Sequence, residues 1–263
     1  MDFDGFLRDI TPSLGLTWRP FKRRGIKRKI KRRMTELGLM EFEDYAQRIK
    51  REAEEQRYLT KTLRVTISRF FRDEDVFKVI KGSLFPLLIQ KKEREIKIWS
   101  IGCSSGEEPY SLALLWKDSF EEDWPDILVR ILATDVDEKM IQRAKEGRYK
   151  KSALREVPLK ILERYFKKEN GYYRIDPKVK PYIEWREHDL LRDDPFLGMD
   201  IILCRNLAFT YFSKESQIET LKKLSLSLKD KGYLVIGKDE TLPLTYPTLF
   251  IPIYNKGKIY QKV

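Results

Sequence analysis

From residue 96 onward, short apolar runs of strand length alternate with stretches of helical spacing, and no other feature restricts the fold as much. "IKIWSI" (96–101) reads as a strand and "EPYSLALLWKDSF" as a helix. "ILVRILATDV" (127–136) is a second strand, followed by a helix near "EKMIQRAKEG". "DIILC" (200–204), a helix through "KESQIETLKKLSLSL", and "GYLVIG" (232–237) continue the series. The expected architecture is α/β, a doubly wound parallel sheet with helices on both faces.

Two segments interrupt the alternation. Between Tyr149 and Leu190, "FKKENGYYRIDPKVKPYIEWREHDL" holds an Asn-Gly turn, two prolines and short aromatic stretches. It reads as a small β insertion at about 165–185, with a sheet strand at "YIEWRE". At the end, "LFIPIYNKGKIYQKV" reads as a hairpin turning at Asn255–Gly257.

Before residue 90 no strand pattern occurs, and residues 1–75 read as a helical domain preceding the sheet domain of 76–263. Within it, "RPFKRRGIKRKIKRR" (Arg19 to Arg33) carries ten basic side chains and no acidic one. Ile26, Ile30, Met34 and Leu37 recur through it as one apolar stripe, so the run is expected as an amphipathic helix with a basic outer face. Gly38 supplies a stop, and "EFEDYAQRIKREAEEQRY" reads as the next helix, with Phe42, Tyr45, Ile49 and Ala53 on one face. The chain has 53 basic against 41 acidic residues, a net charge of +12. A concentrated basic run suits nucleic acid, an anionic membrane or an acidic protein surface.

Several chemistries are excluded by what is missing. The apolar runs are too short to span a bilayer. The acidic start "MDFDGFLRDI" lacks a secretory pattern, and two cysteines give no disulfide framework, so the cytoplasm is the expected location. One histidine, His188, and no Cys/His cluster leave no metal site, and neither a Walker loop nor a "GxSxG" elbow is present. Cys103 and Cys204 read as small buried side chains.

Every unusual residue falls at the carboxyl end of a strand, where open parallel sheets bind ligands. The first strand ends in Gly102–Gly106, whose spacing is not that of a dinucleotide fingerprint. Glu107 and Glu108 open the helix that follows. A glycine-rich turn into a helix usually holds an anion on free N–H groups, but two carboxylates there argue for a ligand with hydroxyls or positive charge. The second strand ends at Asp135, placed to accept both hydroxyls of a ribose, and the fourth ends in "CRN".

"TISRFFRDEDVF", "WSIGCSSGEEPYSLA", "ATDVDEKMIQRAKEGRY", "CRNLAFTYF" and "GYLVIGKDETL" occur in the order found in the chemotaxis-receptor glutamate methyltransferases, the CheR family. "KIKRRMTELGLMEFEDYAQRIK" is similar to that family's helical domain, so the resemblance covers nearly the whole chain. It implies a class I (Rossmann-like) methyltransferase sheet ending in a β-hairpin, with S-adenosylmethionine as cofactor and receptor glutamates as methyl acceptors. It also implies site residues. Glu107 takes positive charge, and the backbone of Gly102 and Ser104 contacts the amino acid portion. Thr66, Ser68 and Arg72 lie against cofactor or acceptor, and Asp135 binds the ribose. Asp189 and Leu190 flank the adenine, with Asp189 where relatives have asparagine. Arg205 and Asn206 stand beside the cofactor.

Arg72 is the expected catalytic residue, aiming the acceptor carboxylate, with a salt bridge to Asp73, Glu74 or Asp75 as the competing reading. The family's tyrosine, also expected to be catalytic, stands five residues beyond the arginine of "CRN". Here Thr210 holds that place and Tyr211 comes one later, a rotation of about 100° on a helix. The short "KKENGYY" loop resembles members that dock no receptor tail peptide. The implied partner is the acidic methylation region of a chemoreceptor, met by the basic helix. RNA is the competing acceptor, although the run lacks interleaved aromatics for base stacking. A binding module without catalysis is the third reading.

Overall fold

The expected alternation builds a mixed sheet in the computed structural model, which describes residues 1–17, 23–63, 68–91, 94–245, 247–254 and 258–263. The strands among them are β1 (Glu95–Ile101), β2 (Leu128–Asp135), β3 (Arg148–Tyr149), β4 (Phe166–Glu169), β5 (Tyr172–Ile175), β6 (Ile183–Glu187), β7 (Met199–Cys204), β8 (Leu228–Ile236), β9 (Phe250–Tyr254) and β10 (Ile259–Lys262). Seven form one sheet in the order β6-β2-β1-β7-β8-β10-β9. The first five in that order run parallel, whereas β10 is antiparallel to both neighbours. The chain moves outward from β1 to β2 and β6, then returns to β7 on the other side of β1. That reversal opens a crevice at the carboxyl ends of β1 and β7.

Side chains alternate along each strand, and the two faces are covered differently. On one face Ile96, Ile98, Ile131, Ile201 and Val235 are buried in a common cluster. On the other, Trp99, Ile101, Leu132, Ile202 and Leu234 belong to a second cluster. The helices divide accordingly. At the N-terminus are α1 (Phe3–Ser13), α2 (Arg23–Glu36), α3 (Phe42–Arg51) and α4 (Ala53–Leu63). They are followed by α5 (Glu74–Val79) and α6 (Phe85–Gln90), joined by a π-helical turn, then α7 (Glu107–Ser119), α8 (Glu138–Glu146) and α9 (Leu159–Tyr165). The last two are α10 (Ala208–Tyr211) and α11 (Lys214–Ser227). Residues of α5 to α9 fill the first cluster, and residues of α1 to α4, α10 and α11 fill the second. The N-terminal helices therefore roof one face of the sheet.

Three sequence expectations change in detail. The segment read as one helix after Gly38 is two, α3 and α4, because Glu52 is extended at φ −109° and ψ 113°. Ala53 consequently leaves the apolar face and is exposed, while Tyr45, Ala46 and Ile49 remain buried. The β insertion begins earlier than 165: β3 joins β5 and β4 in a separate three-stranded sheet. Asn170 and Gly171 turn its hairpin at φ 48° and 76°, the values a two-residue turn of that type demands. The turn expected at Asn255–Gly257 lies outside the described residues.

The basic helix has the expected apolar stripe, with Ile30 and Met34 buried and Ile26 and Leu37 packed against the same cluster. Lys27, Arg28, Lys29, Lys31 and Arg32 are exposed. Its orientation is fixed by Glu55 of α4, only 1% exposed, whose carboxylate accepts from the Arg33 guanidinium and from the Tyr45 hydroxyl at 3.0 Å. Burial works to raise the Glu55 carboxyl, and these two donors outweigh it and hold it below the usual range. Burial beside that carboxylate drives the Tyr45 phenol far up, so it stays a donor. Tyr45→Phe should cost about 1–2 kcal/mol, the loss of one hydrogen bond to a buried charge. Urea unfolding at neutral pH measures it, and an unchanged midpoint would contradict the assignment.

Candidate active site

The β1–α7 loop is threaded through positions that only particular residues tolerate. Gly102 adopts φ 69°, and a Cβ there would lie 2.8 Å from Leu207 Cδ2. The Gly102 and Cys103 N–H groups donate to Thr134 O at 2.8 and 2.9 Å, tying the loop to β2. Ser104, at φ 51°, donates its N–H to Asp135 Oδ2 at 2.8 Å, and the Asp137 N–H donates to Asp135 Oδ1 at 2.9 Å. Gly106 caps α7 at φ 91°. A Cβ there would meet Trp185 Cη2 at 2.8 Å and Ala144 Cβ at 2.9 Å.

Glu107 follows as the first residue of α7 and is 4% exposed. Its Oε1 accepts from Ser105 Oγ at 2.8 Å, whereas Oε2 is buried with no hydrogen-bond partner among the described residues. Burial pushes this carboxyl up, against the helix-start N–H, Ser105, Arg143 and Ser68, which pull it down. A buried carboxylate oxygen at a helix start, left without a donor, is an acceptor kept for something else.

Arg72 sits on a backbone strained on both sides. Phe71 has φ 53° and Asp73 φ 60°, left-handed conformations costing roughly 1 kcal/mol or more each for residues with a Cβ. The surroundings hold them there. The Phe70 ring stands edge-on to Tyr149 and Phe166 at 4.7 and 5.2 Å. The Phe71 N–H donates to Ser111 Oγ at 2.9 Å, and that hydroxyl donates to Glu107 O at 2.6 Å, joining this loop to the first. Arg205, beyond the end of β7, reaches across with a side chain 3% exposed. Its Nη2 donates to Arg72 O and to Asp73 Oδ2, both at 2.7 Å, and its Nη1 to Glu108 Oε2 at 2.9 Å. Glu108 Oε1 in turn accepts from Ser100 Oγ at 2.7 Å. The Arg72 guanidinium itself donates to Asn206 Oδ1 at 3.3 Å.

At the end of β6, the His188 ring is wedged between Trp99 and Phe196, with Nε2 3.0 Å from Asp194 O, a packing position. Asp189 Oδ1 accepts from the Leu191 N–H at 3.1 Å, Leu190 is buried, and Lys223 Nζ binds the carbonyls of Leu190, Leu191 and Asp193. Helix α4 borders this side of the crevice. Lys61 pairs with Asp137 at 3.1 Å, and Gln56 accepts from Arg192 at 3.0 Å.

The fold thus brings Ser68, Gly102, Ser104, Glu107 and Asp135 together, and ties Arg72 to Arg205 and Asn206. Asp189 and Leu190 follow the far end of β6. Thr66 lies outside the described residues. Arg205 is committed to Glu108, Asp73 and the Arg72 carbonyl, so its part is to hold the Arg72 loop. Of the acids in the competing reading of Arg72, Asp73 pairs with Arg205. Tyr211 is half-buried against the cluster beneath the N-terminal helices, and its carbonyl accepts from the Thr17 N–H at 2.8 Å. Thr210 instead reaches Glu240, a buried carboxylate that also accepts from Asn206 N–H. Glu108 and Glu240 were both inside quoted motifs, but neither motif signals which distant group its carboxylate holds.

These residues fit a cationic adenosyl ligand. The Glu107 oxygen without a hydrogen-bond donor among the described residues suits an ammonium, and the Asp135 carboxylate at the end of β2 suits ribose hydroxyls. Paired acids in this position disfavour phosphate.

Residues 66–257 match the family model described as CheR methyltransferase, SAM binding domain, and residues 1–63 match its all-alpha domain. The chain is 32% identical to chemotaxis protein methyltransferase 1 of Pseudomonas aeruginosa, over 92% of this chain and 90% of that protein. It is 30% identical to the chemotaxis protein methyltransferase of Listeria monocytogenes, with the same 92% and 90% coverage. It is also 33% identical to an uncharacterized 104.1 kDa protein of Rhodobacter capsulatus, over 82% of this chain, but it spans only 23% of that relative's length.

Proposed function

The chain belongs to the CheR methyltransferase family, a family that uses S-adenosylmethionine, and on that premise we propose that it methylates glutamate side chains of a chemoreceptor. The observation that carries this reading is the bridge through Ser111, which ties the strained Arg72 loop to Glu107. It joins the backbone beside the residue assigned to the acceptor to the backbone of the residue assigned to the cofactor.

S-adenosylmethionine supplies a methyl group on a sulfonium, whose leaving group is neutral. Glu107 takes its ammonium, the backbone of Gly102 and Ser104 its amino acid portion, and Asp135 its ribose. Asp189 and Leu190 flank the adenine, and Ser68 meets the cofactor or the acceptor, a part the family resemblance also gives to Thr66. A glutamate side chain has a reference pKa of about 4.3 and arrives ionised at neutral pH. No residue has to move a proton. Arg72 orients the incoming carboxylate, while Tyr211 borders the acceptor side. Catalysis is positioning and exclusion of water. The exposed basic face of α2 is the surface for the acidic methylation region of the receptor, and the location that goes with this reading is the cytoplasm.

Incubation with tritium-labelled S-adenosylmethionine and a cytoplasmic receptor fragment, and separately with RNA, tests the reading. Base-labile label on receptor glutamate is the expected result. Label in RNA alone, or cofactor binding with no transfer, overturns it.

A further inference from the structure

Glu240 lies in the loop after β8 and is 3% exposed, yet it is fully engaged. Its Oε2 accepts from the Gly237 N–H at 2.6 Å and from the Asn206 N–H at 2.8 Å, and its Oε1 accepts from Thr210 Oγ at 2.5 Å. Asn206 is thereby held at φ 56°, with its amide oxygen 3.3 Å from Arg72 Nη2. Gly237 closes the arrangement from the other side. A Cβ there would lie 2.7 Å from Glu240 Oε2 and 3.0 Å from both the N and Oδ1 of Asn206. Three residues from the ends of two neighbouring strands are packed with no space for a methyl group, and they are linked outward to the Thr210 hydroxyl and to the Arg72 guanidinium.

We infer that Glu240 is a positioning residue for the acceptor, acting through Asn206 to fix Arg72. The inference rests on the reading that Arg72 meets the acceptor carboxylate. Burial alone does not account for the arrangement, because a carboxylate costs more to bury than an apolar side chain unless its geometry is needed. Thr210 fits the same account. Where the family has a tyrosine, this chain has a small hydroxyl that completes the carboxylate's partners. The role is geometric, not electrostatic, and that distinction is measurable. A glutamine at 240 satisfies all three partners: its oxygen accepts both N–H groups, and its NH2 donates to the Thr210 hydroxyl.

The test compares Glu240→Ala, Glu240→Gln and Gly237→Ala with the parent, after counting competent sites by S-adenosylhomocysteine calorimetry. Turnover per competent site should fall about tenfold in Glu240→Ala and Gly237→Ala, the effect of a small misplacement of a catalytic group. Ligand affinity should stay within about twofold, which separates the loss from general unfolding of the crevice. Glu240→Gln should recover most of the rate. Crystal structures should show the Arg72–Asn206 contact kept in Glu240→Gln and lost in Glu240→Ala. Unchanged turnover per site, an intact contact in Glu240→Ala, or no recovery in Glu240→Gln overturns the inference. If Glu240→Ala does not fold, Gly237→Ala carries the comparison. If the parent labels no receptor glutamate, the functional reading fails, and the Arg72–Asn206 contact still decides the role of Glu240.

Discussion

Arg72→Ala lowers methyl transfer by about 1,000-fold, the scale of removing an oriented charged group from a reacting centre, while the protein stays folded and still binds S-adenosylhomocysteine. The fold survives because the surroundings grip the backbone around Arg72. Arg205 holds the Arg72 carbonyl and the Asp73 carboxylate, and Ser111 holds the Phe71 N–H. Removing the side chain ends the contact with Asn206 Oδ1. Arg72→Lys keeps the charge but loses the planar fork that pairs with a carboxylate, so most of the deficit should persist. Initial rates with labelled cofactor and a receptor fragment, beside a thermal melt, provide the measurement. Full activity in Arg72→Ala would remove this residue from the mechanism.

Arg205→Ala should behave differently, and the contrast shows what sequence can and cannot reveal. Both arginines stand in quoted motifs, and sequence placed both beside the cofactor. Only the structure separates the residue whose guanidinium meets Asn206 from the one enclosed by Glu108, Asp73 and a carbonyl. Pairing of charges across 132 residues leaves no periodicity to read. The strands were legible because buried parallel strands are short, continuous apolar runs. The glycine turn was legible because its residues have no substitute at φ 69° and 91°. The break at Glu52 was not, since every residue there is an acceptable helix former and tertiary packing makes the decision. Nor was the roof of N-terminal helices over Trp99 and Leu132 legible. An amphipathic stripe announces that it will be buried, but not against which surface. Glu240 escaped for a similar reason, as two of its three donors, Asn206 and Thr210, stand 30 or more residues away.

Glu107→Gln weakens S-adenosylhomocysteine by about 100-fold, as expected for losing a charge-assisted hydrogen bond in a buried site. The substitution preserves size and the acceptor for Ser105 Oγ, so affinity, not folding, carries the change. The pH dependence gives the sharper signature. Burial raises the Glu107 carboxyl in the ligand-free protein. Between the unfolded value of about 4.3 and the raised folded value, the native state therefore binds more protons than the unfolded state. Stability from this group is present below that window and is lost as pH rises through it. A bound ammonium favours the ionised form, so ligand affinity should climb across the same window and level off above it. The ligand-induced rise in melting temperature should widen in parallel. In Glu107→Gln both trends should flatten, because the side chain no longer titrates. An affinity profile that keeps its slope in the variant would assign the ammonium to another acid, and Asp135, already bonded to two backbone N–H groups, would be the next to replace.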